Sequence, residues 1–536
     1  MRSIPCSRKA YRSDLLFDEE KTAPVKSKGA APPLLASQLP SRCVSVSQRG
    51  LRLPDGAWCL KLTAKLIFLF LLFPLFSEAG PSTRLVLQHV TVIDGTGSAP
   101  KQNQTVVVVG GRIHSVGPAS QIKTEKADKV VDARGKFLIP GLWDMHVHIA
   151  GILADPKWSK DVLLPLLLAH GVTGVRDMGG DLETLLSWKQ EVESGSLLGP
   201  HIYAAGPWIA SVGKKSPEQY PVANAEEARA AVRDLKQRGA DFIKFLSITS
   251  RDVFLAIADE SKKQNLTFAG HLPPDVGAAE GSNAGMRSIE HLYYSDFAFS
   301  VSSKENELRQ QMLTAEKNQD GSLAGKAREE AIATYNPEKA SALWKTLKAN
   351  NTWVTPTLEG IYVVGHPTPL HFDKALLAGL PQSLVKDWEA GPPENSLLAA
   401  RIARLAKFAE DDWKLTREMH AAGVPLLAGS DSLDERMIPG ISLHLELAQL
   451  VKAGFTPMEA LQCATQGAAR FLGREKDWGT VSVGKQADLV LLSRDPLHEI
   501  SNSSAIDAVI FRGEYFDRTA LDNLLKKARE AAARVK

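Results

Sequence analysis

DMHVHIAG, residues 144–151, follows the strand-like run KFLIPGLW and places His146 and His148 one residue apart. The chain has 13 histidines in 536 residues, so a pair this close asks for a reason. Side chains alternate faces along a strand, and residues i and i+2 point the same way. Two imidazoles projecting side by side from one strand can grip one metal ion. A chance pair in a surface turn is the competing reading, and the rest of the chain has to decide.

Outward from this stretch the middle of the chain alternates strand with helix. Candidate strands are 142–149, 172–178, 201–206, 241–247, 266–271, 287–292, 353–358 and 424–431. Helical runs such as NAEEARAAVRDLKQRGA separate most of them. Eight strands each followed by helical sequence predict an α/β fold, a (β/α)8 TIM barrel over residues 142–474. An open doubly wound sheet is the alternative, but no Gly-rich phosphate turn supports it. Residues 293–352 and 359–420 are too long for simple connections and read as helical insertions over the barrel mouth. Short β-branched runs punctuated by Gly, Asp and Pro fill residues 80–141 and return at 475–518. They predict a small β-sandwich domain built from both ends of the mature chain, with a C-terminal helix over 519–536.

Residues 1–79 read as a leader and signal peptide. Lys61 and Lys65 precede an apolar run from Leu66 to Phe76, and Ser77-Glu78-Ala79 follows it. The run is too short for a span of about 20 residues, so export to a periplasmic or extracellular space is expected, with no stable membrane span after processing. An uncleaved membrane anchor stays open. The leader carries 12 Lys and Arg against 6 Asp and Glu, so the net charge of +3 comes from it and the remainder is slightly acidic. No basic patch argues for nucleic acid. Three of the four cysteines (Cys6, Cys43 and Cys59) also fall there, leaving Cys463 without an internal disulfide partner.

The polar residues at the strand ends carry the functional signal. His146 and His148 end the first strand, Lys244 lies in the fourth, His271 and His291 end the fifth and sixth, and Asp431 ends the eighth. A barrel builds its site at the C-terminal ends of its strands, so six potential ligands meet at one mouth. This order, with FLIPGLWDMHVHI as the entry and ATQGAARFLGREKDWGTVSVGKQADLVLL as the exit, resembles the amidohydrolase superfamily. Within it, GVRDMGG, DFIKFLS, AGHLP, SIEHL and AGSDS are most similar to the imidazolonepropionase-like and prolidase-like metal-dependent dipeptidase branch.

The resemblance implies a binuclear hydrolase acting on carbon–nitrogen bonds through a hydroxide held between two divalent metal ions. Imidazole and carboxylate donors suit Zn²⁺. It further implies that His146, His148 and Asp431 hold one ion, that His271 and His291 hold the other, and that Lys244 bridges them as an N-carboxylated lysine. A free ammonium has no lone pair, so Lys244 serves as a ligand only after reaction with CO₂. A Lys paired with a carboxylate beside a single metal is the alternative. Asp431 is the catalytic residue, placed to move a proton from water to the leaving nitrogen.

Arg176 and Tyr203 are candidates for binding substrate, Arg176 through a carboxylate fork. A structural pair with Asp177 is the competing role for Arg176. His201, His366, His420 and His444 read as structural. No G-x-S-x-G appears, and Cys463 lies in helical sequence away from any strand end. The expected partner is a small molecule or short peptide, with dipeptides and N-acyl amino acids foremost; a homo-oligomer stays open. A mononuclear hydrolase or deaminase of a cyclic amide or heterocycle is the alternative activity. A non-catalytic barrel is disfavoured, because all six ligand positions are filled.

Overall fold

The computed structural model describes residues 84–151, 156–293, 296–366, 377–390, 396–433 and 436–534. The leader and signal sequence expected over 1–79 lie outside the described residues. The fold is mixed α/β. Two sheets of parallel strands form its centre. The first contains β6 (Leu142–Val147), β7 (Val172–Asp177) and β8 (His201–Ala204). The second runs in the order β10 (Gln219–Pro221), β9 (Trp208–Ala210), β11 (Ile243–Phe245), β12 (Phe268–Gly270), β13 (Ser288–Glu290) and β14 (Trp353–Thr355).

Backbone hydrogen bonds link the two sheets at both sides. Asp241 N–H donates to Ala204 C=O, which joins the β11 segment to β8. On the other side Leu427 N–H donates to Val354 C=O, Met145 N–H to Ala428 C=O, and Asp431 N–H to His146 C=O. The eighth expected strand, 424–431, is thereby reduced to isolated bridges at Leu426 and Ser432. Gly429 explains the tight fit there. A Cβ at this position would lie 2.7 Å from His146 Cβ and 2.7 Å from Thr355 Cγ2, so only glycine lets the segment lie this close.

Strand alternation sorts the side chains of β11 and its flanks. Ile243 and Phe245 join the large core shared with the surrounding helices. Phe242 faces inward with Met178, Ala205 and Ala269, and Leu246 packs with Trp208 and Ala210. Lys244, between Phe242 and Leu246 in the period of two, shares their face.

Strands from both ends of the chain meet in one sheet. Its order is β17 (Glu514–Asp517), β16 (Ile506–Phe511), β15 (Leu489–Leu492), β5 (Phe137–Pro140), β1 (Leu85–Val92), β2 (Lys101–Val109) and β3 (Arg112–Pro118), with β4 (Lys129–Asp132) also paired to β1. Two stacked sheets were expected. Instead the hydrogen bonding runs unbroken from β17 to β3, because β1 pairs with β2 on one edge and with β4 and β5 on the other. Leu489, Leu491, Ala508 and Ile510 face the sheet's own core, while Val490, Leu492, Val509 and Phe511 join the main core. That alternation is what a sheet covered on both faces requires.

The two long connections are helical. Helices Glu305–Asn318, Gly321–Ala333 and Pro337–Ala349 fill the first, and Leu358–Gly365, Gln382–Ala390 and Ser396–Ala422 fill the second. Arg328 on the first set donates to Asp296, five residues beyond His291, at 2.7 Å. Tyr293 stacks against Phe408 of the second set with ring centroids 4.7 Å apart. No helix among the described residues is long and apolar enough to cross a membrane.

Candidate metal centre

The structure brings the four expected histidines and Asp431 together. Ring centroids of His146 and His148 are 5.5 Å apart, those of His146 and His291 4.6 Å, and those of His271 and His291 4.8 Å. The Asp431 carboxylate lies among them. Its Oδ1 is 3.4 Å from His146 Nε2 and 3.5 Å from His148 Nε2, and its Oδ2 is 3.8 Å from His291 Nε2. His146, His291 and Asp431 each offer a ligand atom, all within 4.8 Å of one another. The side chain of Lys244 is fully buried, and Glu290 and Asp431 are the carboxylates that most favour its charged form.

Two strand ends depart from regular backbone. His291 has φ 61° and Asp431 has φ 57°, both in the left-handed region. In an unbroken strand Glu290 and His291 would face opposite ways. The left-handed turn brings His291 inward beside Glu290, so neighbours in sequence both serve the site. Non-glycine residues in this region cost of order 1–3 kcal/mol and cluster at functional sites.

Hydrogen bonds set the tautomers of three imidazoles. His148 Nδ1 lies 3.1 Å from Gly179 C=O, an acceptor, so Nδ1 carries the proton. Gly179 has φ 155°, and a Cβ there would sit 2.3 Å from the Trp208 ring, which packs edge-on to His148. His146 Nδ1 lies 2.9 Å from Glu290 Oε2 and donates to it. His291 Nδ1 lies 2.6 Å from Thr357 Oγ1; that hydroxyl donates to Pro356 C=O at 2.8 Å and so accepts from the ring. In all three rings the lone pair is left on Nε2, the atom nearest Asp431. Metal-binding histidines are held in this manner by a partner on the other nitrogen.

The electrostatics of these groups follow from burial and from the Asp431 carboxylate. Burial drives His146 and His271 well below the ordinary imidazole range and pushes His291 to about 4. At His148 burial is outweighed by the hydrogen bond and charge of Asp431, so its pKa rises. Burial also opposes ionisation of Asp431, but His146, His291 and His148 together hold it well below the usual carboxylate range. Lys244 is pushed down to about 8 by burial. Two buried polar atoms, His146 Nε2 and Lys244 Nζ, have no hydrogen-bond partner. Buried polar groups are nearly always paired; a divalent ion suits the His146 Nε2 lone pair, whereas Lys244 would join it only as a carbamate.

Three carboxylates hold the site in place; Glu290 and Asp144 had no part in the sequence reading, which took Asp177 only as a partner for Arg176. Glu290 receives His146 and Arg176. Asp144 accepts from Ser430 N–H at 2.8 Å and Ser430 Oγ–H at 2.5 Å, and burial raises it to about 7. Asp177 accepts from Ile149 N–H at 2.7 Å and Gly179 N–H at 3.1 Å, tying the His148 loop to β7. Asp144, His146 and His148 share one face of β6, and Ser288 and Glu290 share one face of β13. For Asp144 that period-two pattern was the available signal.

Arg176 and Tyr203 are placed otherwise than expected. Arg176 is fully buried and each of its three guanidinium nitrogens has a protein partner, so it is not open to a substrate carboxylate. Its charge partner is Glu290, not Asp177. Tyr203 points toward the starts of the strands. Its hydroxyl donates to Asp241 C=O at 3.3 Å, and it packs with Trp143, Trp353 and Phe471, at the end opposite the histidines. Cys463 is buried and its thiol is pushed up to about 12, which suits no nucleophile. Of the histidines read as structural, His201 bonds Asp488 at 3.0 Å and His444 bonds Ser503 at 2.9 Å.

Parallel strands of an α/β fold thus end in a buried imidazole–carboxylate group able to hold a metal ion. The model of the amidohydrolase family matches residues 137–515, and the chain belongs to that family. It is 24% identical over 471 residues to ochratoxinase of Aspergillus niger, covering 76% of this chain and 81% of that protein. The structure of bottromycin amidohydrolase superposes with a TM-score of 0.64 at 22% identity, covering 85% of this chain and 91% of its own. A Xaa-Pro dipeptidase with bound methionine in its active site superposes at 0.58 and 21% identity, covering 81% and 100%. The chain is thus a hydrolase acting on carbon–nitrogen bonds.

Proposed function

We propose that the chain hydrolyses the amide bond of dipeptides or N-acyl amino acids at this centre. The observation that carries the reading is the group of His146, His291 and Asp431, with the lone pair of His146 Nε2 buried and unpartnered. The names of the similar proteins favour amide substrates, the Xaa-Pro dipeptidase above all. We take the linked parallel strands as a closed (β/α)8 barrel, which the bonds from Asp241 to Ala204 and from Leu427 to Val354 support.

His146, His148 and Asp431 would hold one ion, zinc by its donors, and His271 and His291 a second, with a carboxylated Lys244 between them. Bound ions there would supply Lewis acidity toward the scissile carbonyl and make a water acidic near neutral pH. The chain does the rest. Lys244, pushed down to about 8, offers a neutral amine that can add to CO₂, losing one proton and forming the carbamate. Asp431 takes a proton from the attacking water and returns it to the leaving nitrogen. Glu290, Gly179 and Thr357 hold the imidazoles still while it does so.

A second reading rests on a specific feature. The group whose ligand atoms lie within 4.8 Å of one another takes His146 and Asp431 from the expected set of three and His291 from the expected pair, an arrangement suited to a single ion. A mononuclear hydrolase or deaminase of a cyclic amide or heterocycle follows from it. Metal-replete and chelator-treated protein should be incubated with dipeptide, N-acyl amino acid and cyclic-amide libraries, and products identified by mass spectrometry. Metal-dependent cleavage of linear amides is expected; turnover confined to cyclic substrates would replace the first reading with the second.

We read the described strands of 80–141 and 475–518 as one domain, 142–474 as the catalytic domain and 519–536 as its C-terminal helix. The chain is proposed to be exported, on the strength of the Lys-flanked apolar run before Gly80. A mature N-terminus before Leu66 in protein from its natural host would contradict this.

A further inference from the structure

Arg176 ties four strands together beneath the candidate ligands. From β7 its Nε donates to Met145 C=O on β6 at 2.6 Å, and its Nη1 donates to Ser288 Oγ on β13 at 2.9 Å. Its Nη2 donates to Glu290 Oε2 at 2.7 Å and to Thr355 Oγ1 on β14 at 3.2 Å. The guanidinium also lies against the Phe471 ring, 4.9 Å from its centroid. Arg176, Ser288 and Glu290 are all fully buried. An isolated buried ion is very costly, so this pair persists because every partner is held in place.

The use of that cost lies one bond further on. The same oxygen of Glu290 that meets Arg176 also accepts from His146 Nδ1, and its other oxygen accepts from Ser288 Oγ–H. Arg176 Nη2 and Ser288 Oγ–H hold one Glu290 oxygen each, so the carboxylate meets His146 Nδ1 as an acceptor from a fixed direction, and the ring's lone pair is left on Nε2.

We propose that Arg176 and Glu290 form a buried positioning pair that fixes the tautomer and aim of His146 toward a bound cation, Arg176 acting at two removes from the ion. The inference rests on the metal reading of the centre. It gives Arg176 a role in metal affinity rather than in substrate recognition.

The test is a Co²⁺ titration of the full chain, with occupancy read from visible absorption against a chelating competitor. The variants are Glu290→Gln and the double variant Arg176→Met/Glu290→Gln, which leaves no unpaired buried charge. A purely structural pair would lower the unfolding temperature of the metal-free protein and leave Co²⁺ affinity unchanged. A positioning pair weakens Co²⁺ binding by roughly 10–100-fold, as loss of an outer partner typically does. That weakening, in whichever variant keeps the wild-type circular dichroism spectrum, supports the proposal. Wild-type affinity in every folded variant overturns it while leaving the metal reading intact. Absence of Co²⁺ binding by the wild-type chain overturns both.

Discussion

Ser430 gives both its backbone N–H and its hydroxyl to the carboxylate of Asp144, at 2.8 and 2.5 Å, across 286 positions of sequence. The contact holds the 430–432 turn against β6, and Asp431 sits at its centre. Replacing Asp144 by Ala would leave the Ser430 N–H buried and unmatched, while its hydroxyl keeps Ser432 Oγ at 2.7 Å. Such a loss costs about 1–3 kcal/mol. Asp144→Ala should lower the thermal midpoint and reduce turnover. Unchanged stability with full activity would show that the turn holds itself.

Thr357 performs a similar service for His291 from the end of β14, itself at φ 49°. Thr357→Val keeps the shape and removes the acceptor. Metal affinity should fall roughly 10–100-fold, and Thr357→Ser should restore it. Equal affinity in all three proteins would deny the hydroxyl any part in orienting the ring.

Asp431→Asn should leave the fold intact and remove most turnover. An amide cannot carry the proton, a function worth roughly 10²–10⁴-fold. Steady-state rates on metal-loaded protein give the answer, and wild-type turnover in a folded variant would refute the assigned role.

Stability should fall in acid through His444. It is almost fully buried, its Nε2–H donates to His170 C=O at 3.0 Å, and its Nδ1 accepts from Ser503 at 2.9 Å. Burial pushes it down to about 4, below the unfolded value of 6.5. A base with a depressed folded pKa stabilises fully above the unfolded value and loses that contribution as pH falls. The window therefore runs from pH 6.5 down to about 4. The loss is on the order of 3 kcal/mol. Denaturant unfolding of wild type and His444→Gln across that range should show a shallower acid slope in the variant; parallel slopes would contradict it.

The α/β class and most strand positions were legible because alternation and helical runs are local; 424–431, which makes only isolated bridges, was the exception along with the short β9 and β10. Glu290 was not legible, since the residue before His291 should point away from it in a regular strand. Only the left-handed backbone at His291 places both inside, and backbone handedness at one non-glycine residue leaves no mark in the sequence. Arg176 was misread for a related reason. Its partners come from β6, β13 and β14, and a contact spanning four strands cannot be inferred from its own neighbours. Tyr203 shows that a polar group in a strand does not declare which end of the sheet it addresses.

The central claim is that these six side chains hold the ions of an amide hydrolase. Its most direct test is the metal content of the full chain, purified without chelator and measured by plasma mass spectrometry beside Lys244→Ala. About two divalent ions per chain are predicted, falling to one or fewer when Lys244 is replaced. A single ion per chain, unaffected by Lys244→Ala, would contradict the two-ion account and leave the mononuclear reading in its place.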